Sequence, residues 1–170
     1  MFDKFGEFDS AEELNRAAAA QKAEGDEEAL VALAEENGLT RDDAEDYMDD
    51  CVEALATPLM AAAGKLRMEA ADLKLSGVMM DWVNELVDIC TDSEDFCRAV
   101  RRKGKDLAGY IAMTAESGYE HRCIVDKRIV AKAGKLKNIV GSHEFSIGIP
   151  DKKTRRELAM KYYMGWEMAE

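Results

Sequence analysis

The sequence predicts a mainly α protein, a compact multi-helix bundle with at most a small β-hairpin near its C-terminus. Three observations predict it. Helix-capping signals recur along the chain, as at Ser10 with Glu13, Thr40, Thr57-Pro58 and Thr91 with Glu94. Between them, apolar residues return at steps of three and four. Strand-like alternation occurs in one short stretch, Phe145-Ser146-Ile147-Gly148-Ile149.

Taken in order, Ser10 and Glu13 form a capping box that opens a helix over 11–23, with Ala17 to Ala20 at its centre and Gly25 to close it. A second helix runs over 26–36 and stops at Gly38, with Ala29, Leu30, Ala32 and Leu33 inward. Thr40 caps a third over 41–56, whose buried stripe is Ala44, Tyr47, Met48, Cys51, Val52 and Leu55. Thr57-Pro58 starts a fourth, which carries Leu59, Ala62, Ala63, Leu66, Ala70 and Leu73 inward and ends near Gly77. The fifth holds Val78, Met79, Trp82, Val83, Leu86, Val87 and Cys90. Thr91 and Glu94 start a sixth through Phe96 and Val100 towards Ala115, with Gly104 as its weak point. Residues 121–133 read as a helix burying Ile124, Ile129 and Val130. The strand at 145–149 pairs with 136–140 across Gly141, and a last helix runs over 151–164.

The chain of 170 residues reads as a single domain over 1–170, with an acidic helical part, 1–57, and an apolar and basic helical part, 58–170. No fixed-period repeat or low-complexity break divides it. With 2 prolines and 12 glycines, collagen-like and Pro-rich chains are excluded. No apolar run is long enough to span a membrane. The opening Met1-Phe2-Asp3-Lys4-Phe5-Gly6-Glu7 has neither the basic start nor the apolar stretch of a signal peptide, so a cytoplasmic location is expected. Cys51, Cys90, Cys97 and Cys123 form no Cys-x-x-Cys pair and read as buried reduced thiols on helix faces. Cys90, Cys97, His121 and Cys123 match no familiar zinc spacing.

Enzyme signatures are missing. Leu59 stands where a phosphate loop ending in Gly64-Lys65 needs its first glycine. There is no Gly-x-Ser-x-Gly elbow and no His-Glu-x-x-His, and His121 and His143 read as surface or structural. Asp42 to Glu53 has the length of a calcium loop, but Tyr47 occupies the position of its sharp-turn glycine. A non-enzymatic protein without cofactor or metal is expected.

The net charge of −12 is distributed unevenly. Residues 1–57 carry 18 acidic and 4 basic side chains, residues 58–100 carry 8 and 4, and residues 101–170 carry 9 and 15. Such asymmetry points to polar partners, or to mutual attraction of the two ends within one globule. The most concentrated piece is Asp42, Asp43, Glu45, Asp46, Asp49, Asp50 and Glu53, with no Lys or Arg inside the run. On a continuous helix these seven carboxylates lie opposite the apolar stripe, along about 16 Å at 1.5 Å per residue. Such a line suits solvent, or a groove lined by Arg and Lys. Ala34 to Tyr47 also has the rhythm of a helix-turn-helix, but its second helix is the most acidic in the chain, and phosphates reject it.

The basic pieces are Arg101, Arg102, Lys103 and Lys105, then Lys127, Arg128, Lys132, Lys135 and Lys137, then Lys152, Lys153, Arg155 and Arg156. Arg101, Arg102, Lys103, Lys152, Lys153, Arg155 and Arg156 form the alternative candidate site, for weak, salt-sensitive DNA contact. Aromatics are not interleaved with them, which disfavours single-strand recognition.

Three segments carry a resemblance. They are Phe5 to Leu14, then Glu36-Asn37-Gly38-Leu39-Thr40 through Ala44-Glu45-Asp46-Tyr47-Met48, and Ser146-Ile147-Gly148-Ile149-Pro150 through Lys161-Tyr162-Tyr163-Met164-Gly165. The chain resembles small proteins of bacterial conjugative and phage-like elements, and its ending resembles the PcfK-like accessory family. Some members of that group are described as anti-CRISPR inhibitors of Cas9. The resemblance implies a mobile-element protein with Cas9, or the Cas9–guide RNA complex, as partner, and transfers no catalytic residue. Cas9 holds nucleic acid in a positively charged channel, so the acidic helix is expected to act as a DNA mimic there. The alternative is a conjugation accessory protein that binds DNA through the basic C-terminal third.

Overall fold

The computed structural model describes residues 4–166, so Met1-Phe2-Asp3 of the opening segment lie outside it. The chain folds as the sequence predicts in class: the described residues form ten α-helices and a two-stranded antiparallel sheet near the C-terminus.

The first two helices form where their caps place them. Helix α1, Ala11–Glu24, starts with the Ser10 hydroxyl accepting from the Glu13 amide and ends at Gly25, φ 71°. Helix α2, Glu27–Glu36, is capped by Asp26 and ends at Asn37, with Gly38 at φ 73°. Helix α3, Arg41–Met48, has a full capping box between Thr40 and Asp43. It is half the expected length. The apolar rhythm continues beyond Met48, but Asp50 adopts φ 59° and Cys51 donates its amide to the Asp46 carbonyl, which unwinds the chain. Aspartates are poor helix formers, and carboxylates at a helix C-terminus oppose the macrodipole, so Asp49 and Asp50 stop the helix that the stripe would extend. Cys51 and Val52, expected inside, are exposed, whereas Leu55 is buried.

Helix α4, Pro58–Asp72, is the axis of the molecule. Residues 61–66 are buried on every side, and α4 packs against α1 and against α5 (Val78–Asp92), α6 (Glu94–Arg101) and α7 (Leu107–Glu120). A helix surrounded on all sides has no polar face, which the run Ala61-Ala62-Ala63-Gly64 satisfies with little volume. Ala61 joins one cluster with Leu14, Leu30, Leu33, Tyr47 and Leu55 of the N-terminal part. Ala62, Leu66 and Ala70 join a second with Trp82, Leu86, Phe96, Val100, Tyr110 and Tyr163. Gly38 and Gly64 meet backbone to backbone: a Cβ on Gly64 would lie 2.2 Å from the Asn37 carbonyl oxygen.

The expected sixth helix is two. Helix α5 runs on through Thr91, whose hydroxyl donates to the Val87 carbonyl, and Ser93 rather than Thr91 caps α6. Gly104, φ 76°, breaks the chain and Asp106 caps α7. Beyond α7 lies an arm. Strand β1, Cys123–Ile124, pairs with β2, Ser146–Ile147, in the register Cys123↔Ile147 and Ile124↔Ser146. Between them lie helices α8, Lys127–Lys132, and α9, Gly134–Val140. Residues 136–140 are therefore helical rather than the partner strand, and 121–133 is not one helix. Ile124 and Ile129 are 67% and 62% exposed, against expectation, and Val130 is buried. The last helix, α10, Lys152–Ala159, continues into a π-helical turn over Met160–Met164.

Candidate interaction surface

The seven acidic candidates do not lie on one helical face. Asp42, Asp43, Glu45 and Asp46 are on α3, Asp49 is its C-cap, and Asp50 and Glu53 are in the irregular segment after it. Three of them have structural partners. The Asp43 carboxylate accepts the Thr40 amide and hydroxyl at 2.8 and 2.7 Å. Glu45 sits 3.6 Å from Arg41, one turn away. Asp50 accepts Lys22 of α1 at 2.5 Å, and the same ammonium donates to the Tyr47 carbonyl and lies over the Tyr47 ring.

Among the described residues, Asp42, Asp46, Asp49 and Glu53 have no Lys or Arg within ion-pair distance, and all four are exposed. Helix α2, packed on α3, adds Glu27, Glu28 and Glu35, also exposed. The basic tail does not fold over this lip. Its contacts with the head, residues 4–57, are made elsewhere: Arg101 donates to Asn37, the Lys103 amide donates to Asp9 at 2.8 Å, and the Lys103 ammonium lies 3.9 Å from Glu13.

The alternative basic site does not assemble. Arg101 is buried at 1% exposure, and its guanidinium donates to Asn37 Oδ1 at 2.5 Å and to the Ala61 carbonyl at 3.4 Å. Burial pulls its pKa down, partly opposed by Glu7, Glu69 and Glu13. It is a core cation joining α6, α4 and the end of α2, closed to nucleic acid. Arg155 is likewise structural. It makes a two-pronged pair with Glu85 at 2.8 and 2.6 Å, which holds that carboxyl below its usual range, and donates to the Pro150 carbonyl. Arg156 lies 3.7 Å from Asp92 and Lys153 lies 3.7 Å from Glu157. Arg102, Lys103, Lys152 and Lys153 are exposed, but on two separate elements.

A second buried group escaped the sequence reading. Lys65, 1% exposed, donates to Glu7 at 2.6 Å and to the Arg102 carbonyl at 3.0 Å, and sits 3.8 Å from Glu69. Glu69 accepts the Leu107 amide at the start of α7 at 2.8 Å. Its signal was present as an i,i+4 Lys–Glu pair inside an apolar helix, where a solvent-facing pair is out of phase. Burial pushes the Glu69 carboxyl up to about 7, against the pull of Lys65. The native state therefore binds a proton that the unfolded chain releases. Glu69 contributes stability below about pH 4.5 that is lost as pH rises through about 7. The Glu69→Gln variant, which keeps an oxygen for the Leu107 amide, is expected to gain up to about 3 kcal/mol on wild type between about pH 5 and about pH 8. Urea midpoints at the two pH values read this. Equal pH slopes in the two proteins would refute it.

Cys90 and Cys97 are buried, with the Cys97 thiol donating to the Cys90 carbonyl at 3.0 Å, whereas Cys51 and Cys123 are exposed, unlike the expected helix-face thiols. Among the described residues no group of His, Cys, Asp and Glu is arranged to hold a metal ion, and no helix is long and apolar enough to cross a membrane.

Fold and surface together define a helical protein with an acidic head. No protein-family model, curated protein or solved structure matches the chain.

Proposed function

We propose that the chain is a non-enzymatic binding protein that docks its acidic head on a cationic nucleic-acid-binding surface, with Cas9 as the target that the sequence resemblance implies. One observation carries this reading: among the described residues, Asp42, Asp46, Asp49 and Glu53 stand in solvent without a Lys or Arg at ion-pair distance, although the chain holds 23 Lys and Arg. Unrelieved like charges crowded on one short helix and the turn after it are a cost that a cationic partner would remove. The geometry differs from the expected DNA-mimicking rod. The head offers a short helix and a turn, a compact lip that suits a local arginine or lysine cluster better than the length of a duplex channel.

The test is binding of the purified protein to guide-loaded Cas9. Changing Asp42, Asp46 and Asp49 to Asn and Glu53 to Gln is expected to weaken binding at least tenfold, about 1.4 kcal/mol, and to flatten its salt dependence. Inhibition that survives the four changes would discard the acidic lip as the contact.

A second reading, DNA contact by the basic third, is favoured by the arm over 121–149, which carries six Lys or Arg against Asp126 and Glu144. Tight, salt-sensitive retardation of plain duplex by the protein alone would support it in place of the first.

A further inference from the structure

The arm is unusual for a solvated surface. Ile124, Ile129, Ile139, Ile147 and Ile149 are 67, 62, 81, 50 and 55% exposed. Its helices sort their residues by face. On α9, Leu136 and Val140 are half-buried, while Lys135 and Ile139, also four apart, point outward. On α8, Val130 is buried, while Ile129 and Lys132, three apart, are exposed. Isoleucines alternating with lysines on an outer face make a surface that is apolar and cationic together.

The head carries the complementary surface. Ala19, Ala23, Tyr47, Cys51 and Val52 form a shallow groove of about 460 Å³ between α1 and the segment after α3. Val52 is 42% exposed on it, Asp50 and Glu53 line it, and Asp49 stands beside it. Lys22, the cation at this groove, is already bound to Asp50. An apolar floor with a carboxylate rim is what an isoleucine flanked by lysines would fill.

We infer that the arm of one copy docks on the acidic groove of a second copy, with Ile139 of α9 over Val52 and with Lys135, on the same helix face, against Asp49 and Glu53. Charge decides for this occupant over other anions. A duplex or an anionic membrane would meet the 18 acidic residues of the head as well as the arm, and it would bury isoleucines poorly against phosphate. A head presents carboxylates and exposed aliphatic side chains at one place. The contact is heterologous, arm to head, so each copy keeps one free arm and one free head unless the assembly closes into a ring. It is independent of any nuclease and uses part of the same lip, so self-association competes with the head's other partners.

The test is molecular mass by sedimentation or light scattering on the full chain alone, at up to about 100 μM, a range that reads weak contacts. Mass is expected to rise with concentration in about 20 mM salt and to return to monomer in about 0.5 M salt, where exposed charges are screened. The arm variant Ile139→Asp with Lys135→Glu is expected to weaken association at least tenfold while leaving the circular dichroism unchanged. So is the head variant Val52→Asp with Glu53→Lys. Equimolar mixing of the two variants is expected to restore a 1:1 dimer at low salt only between the intact arm of the head variant and the intact head of the arm variant. A monomer at every concentration overturns the proposal. So does association that only one of the two variants weakens, because the contact would then be arm to arm or head to head. Retardation of duplex or capture by anionic vesicles without any self-association overturns it in favour of those ligands.

Discussion

Replacing Arg101 by alanine is expected to destabilise the protein by about 2–5 kcal/mol, from a buried acceptor left without its donor and from the cavity left behind. Arg101, on α6, donates to acceptors at the end of α2 and on α4. Its guanidinium holds Asn37 Oδ1 and the Ala61 carbonyl, while Asn37 itself donates to the Leu33 carbonyl at 2.8 Å. Truncation leaves Asn37 Oδ1 buried without its Arg101 donor, at about 1–3 kcal/mol. It also leaves a cavity the size of the long side chain between α4 and α6, which adds a similar amount. Lysine supplies the charge but not the fork, and is expected to recover less than half of the loss. Urea unfolding of the three proteins reads this. A loss under about 1 kcal/mol for Arg101→Ala would mean that the network does not hold the two clusters together.

The second large effect concerns Gly64. Alanine there is expected to cost about 3 kcal/mol or more. Its Cβ would lie 2.2 Å from the Asn37 carbonyl oxygen, and neither backbone can yield without parting the α2–α3 turn from α4. The displacement would also move Asn37 away from Arg101, so the two effects are coupled, and the double variant is expected to lose less than the sum. Gly134 provides the control. A Cβ there meets nothing within 4 Å, and its φ is outside the left-handed region. Alanine at this first position of α9 is expected to stabilise by about 0.4–1 kcal/mol by restricting the unfolded chain. Equal losses at the two glycines would show that backbone proximity is not what Gly64 provides.

Much of the head was legible because its signals are local. Ser10, Asp26 and Thr40 bond amides three residues on, and these contacts need nothing beyond the next turn of chain. The end of α3 was also written in the sequence, as Asp49 and Asp50 at the negative end of a helix dipole, but the apolar stripe outweighed it in the reading. The arm was misread for another reason. The partner of Ser146–Ile147 is Cys123–Ile124, more than twenty residues away, and a two-residue strand leaves almost no alternation to detect. Segment 136–140 is apolar at both helical and strand spacing, and only the neighbours settle such a choice.

The acidic lip was half legible. Composition marks Asp42 to Glu53 as a charge run with no internal base, but spacing cannot show that Asp43 is spent on a cap or that Asp50 is held by Lys22 of α1. Nor can it separate the basic residues into core and surface. Arg101 and Arg102 are neighbours, and one is buried while the other is exposed.

By itself, then, the sequence determined the helical class, the cap-defined helix starts and the acidic head set against a basic tail, because each is a property of residues within one or two turns. Only the tertiary structure decided which charges remain in solvent. That outcome depends on which distant backbone atoms and side chains converge on Arg101, Lys65, Glu85 and Lys22, and burial, which fixes the worth of every charge, is a property of the packed assembly of helices rather than of any one of them.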